Sequence, residues 1–226
     1  MIVWRVLPLG EAALLVQGTL IHPAGPALLV NRYTLALAQA LDAARLPDVQ
    51  PAVPAIDSLL LPFDPLRVSR QRLEQQVYEL LAGLQPVPEE PARVVRIAVR
   101  YGGDDGPDLL DVARHLQLTP QALVAAHCAP VYRVLLIGFA PGFPYLGPLP
   151  ARLTLPRRAT PRPFVPTGSV AIAADVTGIY PARLPGGWHL LGRTSMRLFD
   201  AAAEPPARLQ PGDGVRFVPL PDGIVP

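Results

Sequence analysis

The sequence predicts a small α+β domain followed by a mainly β barrel domain. Three observations carry this expectation. Residues 2–84 read as strand, strand, helix, strand, strand, helix. A Pro- and Glu-rich break then spans Gln85–Pro91. After it come short apolar runs separated by Gly and Pro, with only two short helical stretches.

The elements follow in order. Ile2–Leu7 and Ala12–Val16 are β-prone runs separated by the turn Pro8–Glu11. From Ala27 to Arg45 the apolar residues Leu28, Leu35, Ala38 and Leu41 recur at helical spacing. Val49–Val53 and Ser58–Phe63 form a second strand pair, and Ser69 stands where a cap would open a second helix with Leu73, Val77, Leu80, Leu81 and Leu84 on one face. Two helices on one side of a four-stranded antiparallel sheet make the first domain, placed at 1–88. The second, 89–226, opens with the strand Val94–Val99. Pro107–Leu116 and Pro120–His127 are short helices with Pro in the first turn and Thr119 as the cap of the second. Tyr132–Ile137, Ser169–Ala173, Trp188–Leu191, Met196–Leu198 and Val215–Val218 complete the strands.

Composition narrows the chemistry. All 20 basic side chains are Arg. Without Lys there is no Schiff base, no biotinyl-lysine and no P-loop lysine. Any anion site must use Arg forks or backbone N–H groups. A net charge of +2 is too small for a nucleic-acid footprint. Pro107–His127 resembles a helix-turn-helix in outline, but its second helix carries no Arg to hold a phosphate backbone. No apolar run reaches membrane-spanning length and the start lacks a signal-peptide pattern, so the expected compartment is the cytoplasm. The single Cys128 agrees with that. No metal-ligand spacing occurs. His127-Cys128 is read as structural, since adjacent residues on a helix do not face each other.

The chemistry-bearing residues concentrate between Gly138 and Thr194. Gly138–Gly147 holds three Gly, two Pro and three aromatics, too irregular for a helix or a central strand. It is either a binding loop or a rigid turn whose aromatics fill the core. In Pro156–Pro163, Arg157, Arg158 and Arg162 are braced by prolines, which lowers the entropic cost of aiming them at an anion. A solvated charged loop is the alternative. Ser169 follows Gly168, and Thr177 and Tyr180 flank Gly178, so these hydroxyls sit where backbone can approach a ligand closely. Arg193 follows Gly192. Trp188 is read as core and His189 as structural. Catalytic residues are not identifiable.

Taken together, Tyr101-Gly102-Gly103, Gly106–Leu109, His127, Tyr132–Val134, Gly138–Gly147, Pro156–Pro163, Pro166–Val170, Thr177–Pro181, Pro185–Trp188, Leu191–Thr194, Leu198–Asp200 and Pro211–Asp213 resemble the 5-oxoprolinase B-subunit family. That family includes KipI-type sensor-kinase inhibitors and the allophanate hydrolase subunit 1 or carboxyltransferase C/D domains. The resemblance implies a cyclophilin-like barrel behind an α+β domain. It also implies a complex with a homologous C-type subunit and with an A-type subunit, which together open 5-oxoproline to glutamate. ATP would serve at the level of that complex. Arg157, Arg158, Arg162 and Arg193 are the expected anion binders, with Ser169, Thr177 and Tyr180 as polar orienters. Many relatives carry Gln where Val176 stands, which puts the substrate in question. Inhibition of a sensor histidine kinase, or a part in an allophanate hydrolase or urea carboxylase, are the alternatives.

Overall fold

The computed structural model describes residues 2–21 and 28–221. The chain divides into two compact units, Met1–Glu90 and Pro91–Pro226, a boundary two residues beyond the one expected.

In the first unit, strands β1 (Ile2–Pro8), β2 (Ala13–Leu20), β3 (Val53–Pro54) and β4 (Ser58–Pro62) form an antiparallel sheet in the order β1-β2-β4-β3. Leu14 and Val16 on β2, and Leu59 and Leu61 on β4, alternate onto one sheet face and are buried. Against that face pack Leu37, Ala38 and Leu41 of helix α1 (Leu29–Ala44) and Leu73 and Val77 of α2 (Arg70–Gly83). Asn31 fastens α1 to the β3–β4 turn. Its buried side-chain amide donates to the carbonyls of Ala55 (3.1 Å) and Ile56 (3.2 Å). Ala27, where the expected helix begins, lies outside the described residues. The expected strand Val49–Val53 is mostly a loop, with a lone bridge from Val49 to Phe63. Pro51 interrupts it and has no N–H to pair.

The second unit is a closed seven-stranded barrel. Its strands are β5 (Val94–Tyr101), β6 (Tyr132–Ile137), β7 (Pro144–Gly147), β9 (Ser169–Ala173), β10 (Val176–Ile179), β12 (His189–Arg193) and β13 (Gly214–Pro219). The ring runs β10-β7-β6-β13-β5-β12-β9 and closes from β9 back to β10. β13 lies between β5 and β6, parallel to β5 from Gly214–Val94 to Pro219–Val99. A two-stranded ribbon of β8 (Arg162–Val165) and β11 (Leu184–Gly186) is separate from the ring. Along β5 burial alternates: Ile97, Val99 and Tyr101 are inside while Arg96, Ala98 and Arg100 are outside. Helices α3 (Leu109–His115) and α4 (Pro120–Cys128) add Leu109, Val112, Leu123, Val124 and Ala126 to the barrel core. Thr119 caps α4, its hydroxyl accepting from the Ala122 N–H at 3.1 Å.

Two expectations are corrected here. Met196–Leu198 is an irregular segment, not a strand. Gly138–Gly147 is the turn of a β6–β7 hairpin, and its second half is a ring strand. Pro144 is tolerated because it is the first residue of β7, where one missing N–H costs least. The aromatics of that segment divide. Phe143 is buried edge-on against Tyr180 and Trp188, whereas Phe139 is exposed.

Candidate functional site

Among the described residues, three clusters of polar side chains in the barrel unit hold most of the residues expected from sequence. The first is built on the turn Gly102–Asp108. Gly102 donates its N–H to the Leu191 carbonyl (3.0 Å), and a Cβ on Gly106 would lie 2.0 Å from that same carbonyl oxygen. Only glycine permits this approach. The turn delivers Asp108 against β12, where its N–H donates to the Leu190 carbonyl (3.1 Å) and its Oδ2 accepts the Leu190 N–H (2.7 Å). Its other oxygen, Oδ1, accepts from Arg158 Nη1 at 2.9 Å and Arg162 Nη2 at 2.7 Å. One nearly buried carboxylate thus holds two guanidiniums. Arg158 Nε and Arg162 Nη1 are buried with no hydrogen-bond partner among the described residues. Arg158 also lines a cavity, where an unmet guanidinium donor favours an incoming acceptor. That cavity, about 390 Å³, is lined by Asp108, Asp111, His115, Arg157, Arg158 and His189 among others. His189 Nε2 donates to the Pro156 carbonyl at 2.9 Å.

Tyr180 lies close to this cluster. Burial, and then neighbouring Tyr145, push its hydroxyl up to about 12; Arg157 and Arg162 pull the other way. Its N–H donates to the Ser169 carbonyl at 2.9 Å. Ser169 itself is buried.

The second cluster centres on Asp105. Asp105 Oδ2 accepts from Arg100 Nη1 and Oδ1 from Arg193 Nη1, both at 3.2 Å. Arg100 and Arg193 are direct partners across β5 and β12. Arg193 Nε also donates to the Thr167 carbonyl at 3.0 Å. Gly168 makes this possible: its φ is +82°, and a Cβ there would lie 2.1 Å from the Thr194 carbonyl oxygen. The guanidiniums border a cavity of about 420 Å³ whose lining also includes Thr167, Thr194, Ser195 and Arg197.

The third cluster is inside the barrel. Thr177, fully buried, donates its hydroxyl proton to the Ala171 carbonyl at 3.0 Å. It must therefore accept from His127 Nε2 at 2.9 Å. This assigns the His127 proton to Nε2, so Nδ1 accepts from the Tyr101 hydroxyl at 2.8 Å. Cys128 Sγ donates to that hydroxyl at 3.4 Å. His127 stacks on Phe217 with ring centres 4.6 Å apart. Burial pushes the imidazole down to about 3, so it is neutral. Burial likewise raises Tyr101 and Cys128. The relay from Cys128 through Tyr101 and His127 to Thr177 and Ala171 pairs each of its members, as a buried network requires.

The seven residues expected from sequence are therefore not gathered in one place. Arg158 and Arg162 share Asp108, with Arg157 on the same cavity and Tyr180 nearby. Arg193 belongs to the Asp105 cavity, Thr177 faces the barrel interior, and Ser169 is buried on β9. Val176 is buried at the start of β10. The sequence does not single out Asp105, Asp108, Arg100 or Arg197 as site residues. The signal was present in Asp104-Asp105-Gly106-Pro107-Asp108: carboxylates on a glycine turn, in a chain whose arginines need counter-charges.

Known proteins share both the sequence and the fold. The profile of the family described as carboxyltransferase domain, subdomain C and D, matches residues 4–209. The 5-oxoprolinase B subunit of Escherichia coli O157:H7 is 43% identical over 79% of this chain and 82% of its own length. That of Haemophilus influenzae is 41% identical over 95% of this chain and 97% of its own. The crystal structure of TTHA0988 matches 92% of this chain at 43% identity with a TM-score of 0.77, and this chain spans 40% of its length. Urea carboxylase of Kluyveromyces lactis shares the fold over 97% of this chain, with a TM-score of 0.75 at 17% identity, and this chain spans 22% of it.

Proposed function

The chain belongs to the carboxyltransferase-domain family, subdomains C and D, and from that membership we propose that it is the B subunit of an ATP-dependent 5-oxoprolinase. The observation that carries this reading is identity of 41% to a 5-oxoprolinase B subunit over nearly the full length of both chains. Partners would be the C-type and A-type subunits of the same enzyme, and the complex would convert 5-oxoproline to glutamate. The urea-processing alternative rests on 17% identity, which supports the fold and no shared substrate. Among the described residues, no cluster or cavity favours kinase inhibition.

Opening a lactam requires activation of a poorly electrophilic amide carbon. ATP supplies this at the level of the complex, by phosphorylating the lactam oxygen. The contribution of this chain is charge placement. Arg158 and Arg162 are fixed by Asp108 and keep unmet N–H donors, and Arg157 lines the same cavity as Arg158. Such preorganised donors stabilise developing negative charge without reorganising. His189, held by the Pro156 carbonyl, is the polar orienter lining that cavity. Thr177 acts at a distance, holding His127 and the barrel interior in register.

The test is reconstitution. The isolated chain should show no 5-oxoproline-dependent ATP hydrolysis, and adding the A-type and C-type partners should restore it. Arg158→Gln should lower the rate of the complex by roughly 10-fold or more, the scale of one lost charge-assisted hydrogen bond. ATP-coupled turnover by this chain alone would overturn the subunit reading.

A further inference from the structure

We propose that the Asp105 cavity is a second binding site, for a small organic carboxylate, distinct from the Asp108 cluster. Three features point there. The first is charge. Arg100, Arg193 and Arg197 border the cavity, against Asp105 in its wall and Asp200, which pairs with Arg197 at 3.1 Å. One positive charge remains in excess. Among the described residues Arg100 donates only to Asp105, so most of its five N–H donors have no protein partner.

The second feature is preorganisation. Asp105 offers one oxygen to Arg100 and the other to Arg193, and the Thr167 carbonyl fixes the Arg193 Nε. Two guanidiniums are thereby held side by side across β5 and β12 with one carboxylate between them. An incoming anion relieves their mutual repulsion, and the forks need no ordering to receive it. Thr194 steadies the adjoining segment, its hydroxyl accepting from the Met196 N–H at 3.2 Å.

The third feature selects the ligand class. The hydroxyl-bearing residues Thr167, Thr194 and Ser195 share the lining with Pro181, Met196 and Leu220. A lining that mixes hydroxyl and apolar side chains suits a carboxylate on a short carbon skeleton better than inorganic phosphate. A cavity of about 420 Å³ has room for a molecule of that size. The source of the carboxylate rests on the 5-oxoprolinase reading: it is the substrate 5-oxoproline or the product glutamate.

Isothermal titration of the full chain with 5-oxoproline, glutamate and inorganic phosphate tests the site. Saturable binding of one of the two carboxylates is expected, weakened about 10-fold by Arg100→Gln, while Arg216→Gln, at an exposed position on β13 that lines neither cavity, changes it less than about 2-fold. Melting curves of both variants establish that each is folded. The proposal is overturned by absence of saturable carboxylate binding, or by phosphate binding as tightly as either carboxylate. It is equally overturned if Arg100→Gln binds unchanged or if Arg216→Gln weakens binding as much as Arg100→Gln does. Failure of the enzyme reading is separable: it would appear as an inactive reconstituted complex while the titration result stands.

Discussion

Asp105 and Asp108 stand three residues apart on the same glycine turn, and each bridges two arginines, yet they do different work. Asp108 is nearly buried: its side chain is 6% exposed, and it receives a backbone N–H as well as both guanidiniums. Asp105 is more open, and its arginines are 58% and 41% exposed. In water an ion pair contributes little and its partners remain available to a ligand. Out of water the same pair becomes a structural tie, because losing one member strands the others. Burial, not composition, separates the two.

Four measurements break or sharpen this contrast. The largest effect belongs to Asp108→Ala, which strands two guanidiniums and the Leu190 N–H; the barrel should lose about 3 kcal/mol. Melting can be followed through Trp188 in a Trp4→Phe background, since the chain has two tryptophans. A loss below about 1 kcal/mol would place Asp108 in the same class as Asp105.

Next comes pH. His127 titrates near 6.5 when unfolded and at about 3 in the folded barrel. Between those values the unfolded chain binds the extra proton, so acid favours unfolding. Stability is complete above pH 6.5 and declines by about 1.4 kcal/mol per pH unit below it, roughly 2 kcal/mol by pH 5. His127→Gln should flatten that slope in denaturant titrations at about pH 5 and about pH 7.5; an unchanged slope would show that other groups carry it.

Thr177→Val is smaller, about 1–2 kcal/mol, because it leaves the His127 Nε2–H without an acceptor. Urea unfolding at neutral pH measures it, and a neutral result would mean the hydroxyl bonds add nothing to the barrel. Smallest is Asp105→Ala, expected to cost under about 1 kcal/mol. A cost equal to that of Asp108→Ala would erase the distinction drawn from burial.

Much of the architecture was legible in the sequence. The alternation on β5 and the helical stripes of α1 and α2 mark their buried faces directly, and Tyr132–Ile137 and Ser169–Ala173 have the predicted bounds. The strands β7, β8, β10 and β11 were not legible. Each is three or four residues long and contains Pro or Gly, so neither length nor propensity identifies it. Ring closure, a long-range effect, makes β7 and β10 strands. The arginine segment Pro156–Pro163 was recognisable as a rigid cationic loop. Its counter-ion was not, because Asp108 lies 50 residues earlier and meets Arg158 only through the fold. Thr177 was misplaced for a related reason: a hydroxyl beside glycine looks the same whether its strand faces a ligand or a core.

The position of β13 affects how the protein is made. This stave enters the ring between β5 and β6, so the barrel cannot close until Pro219 has left the ribosome. The sheet and helices of the first 90 residues need nothing synthesised later. At ~5–20 residues per second the delay is on the order of ten seconds. During that interval β5 and β6 present unpaired edges, and nascent chains are then most open to wrong partners.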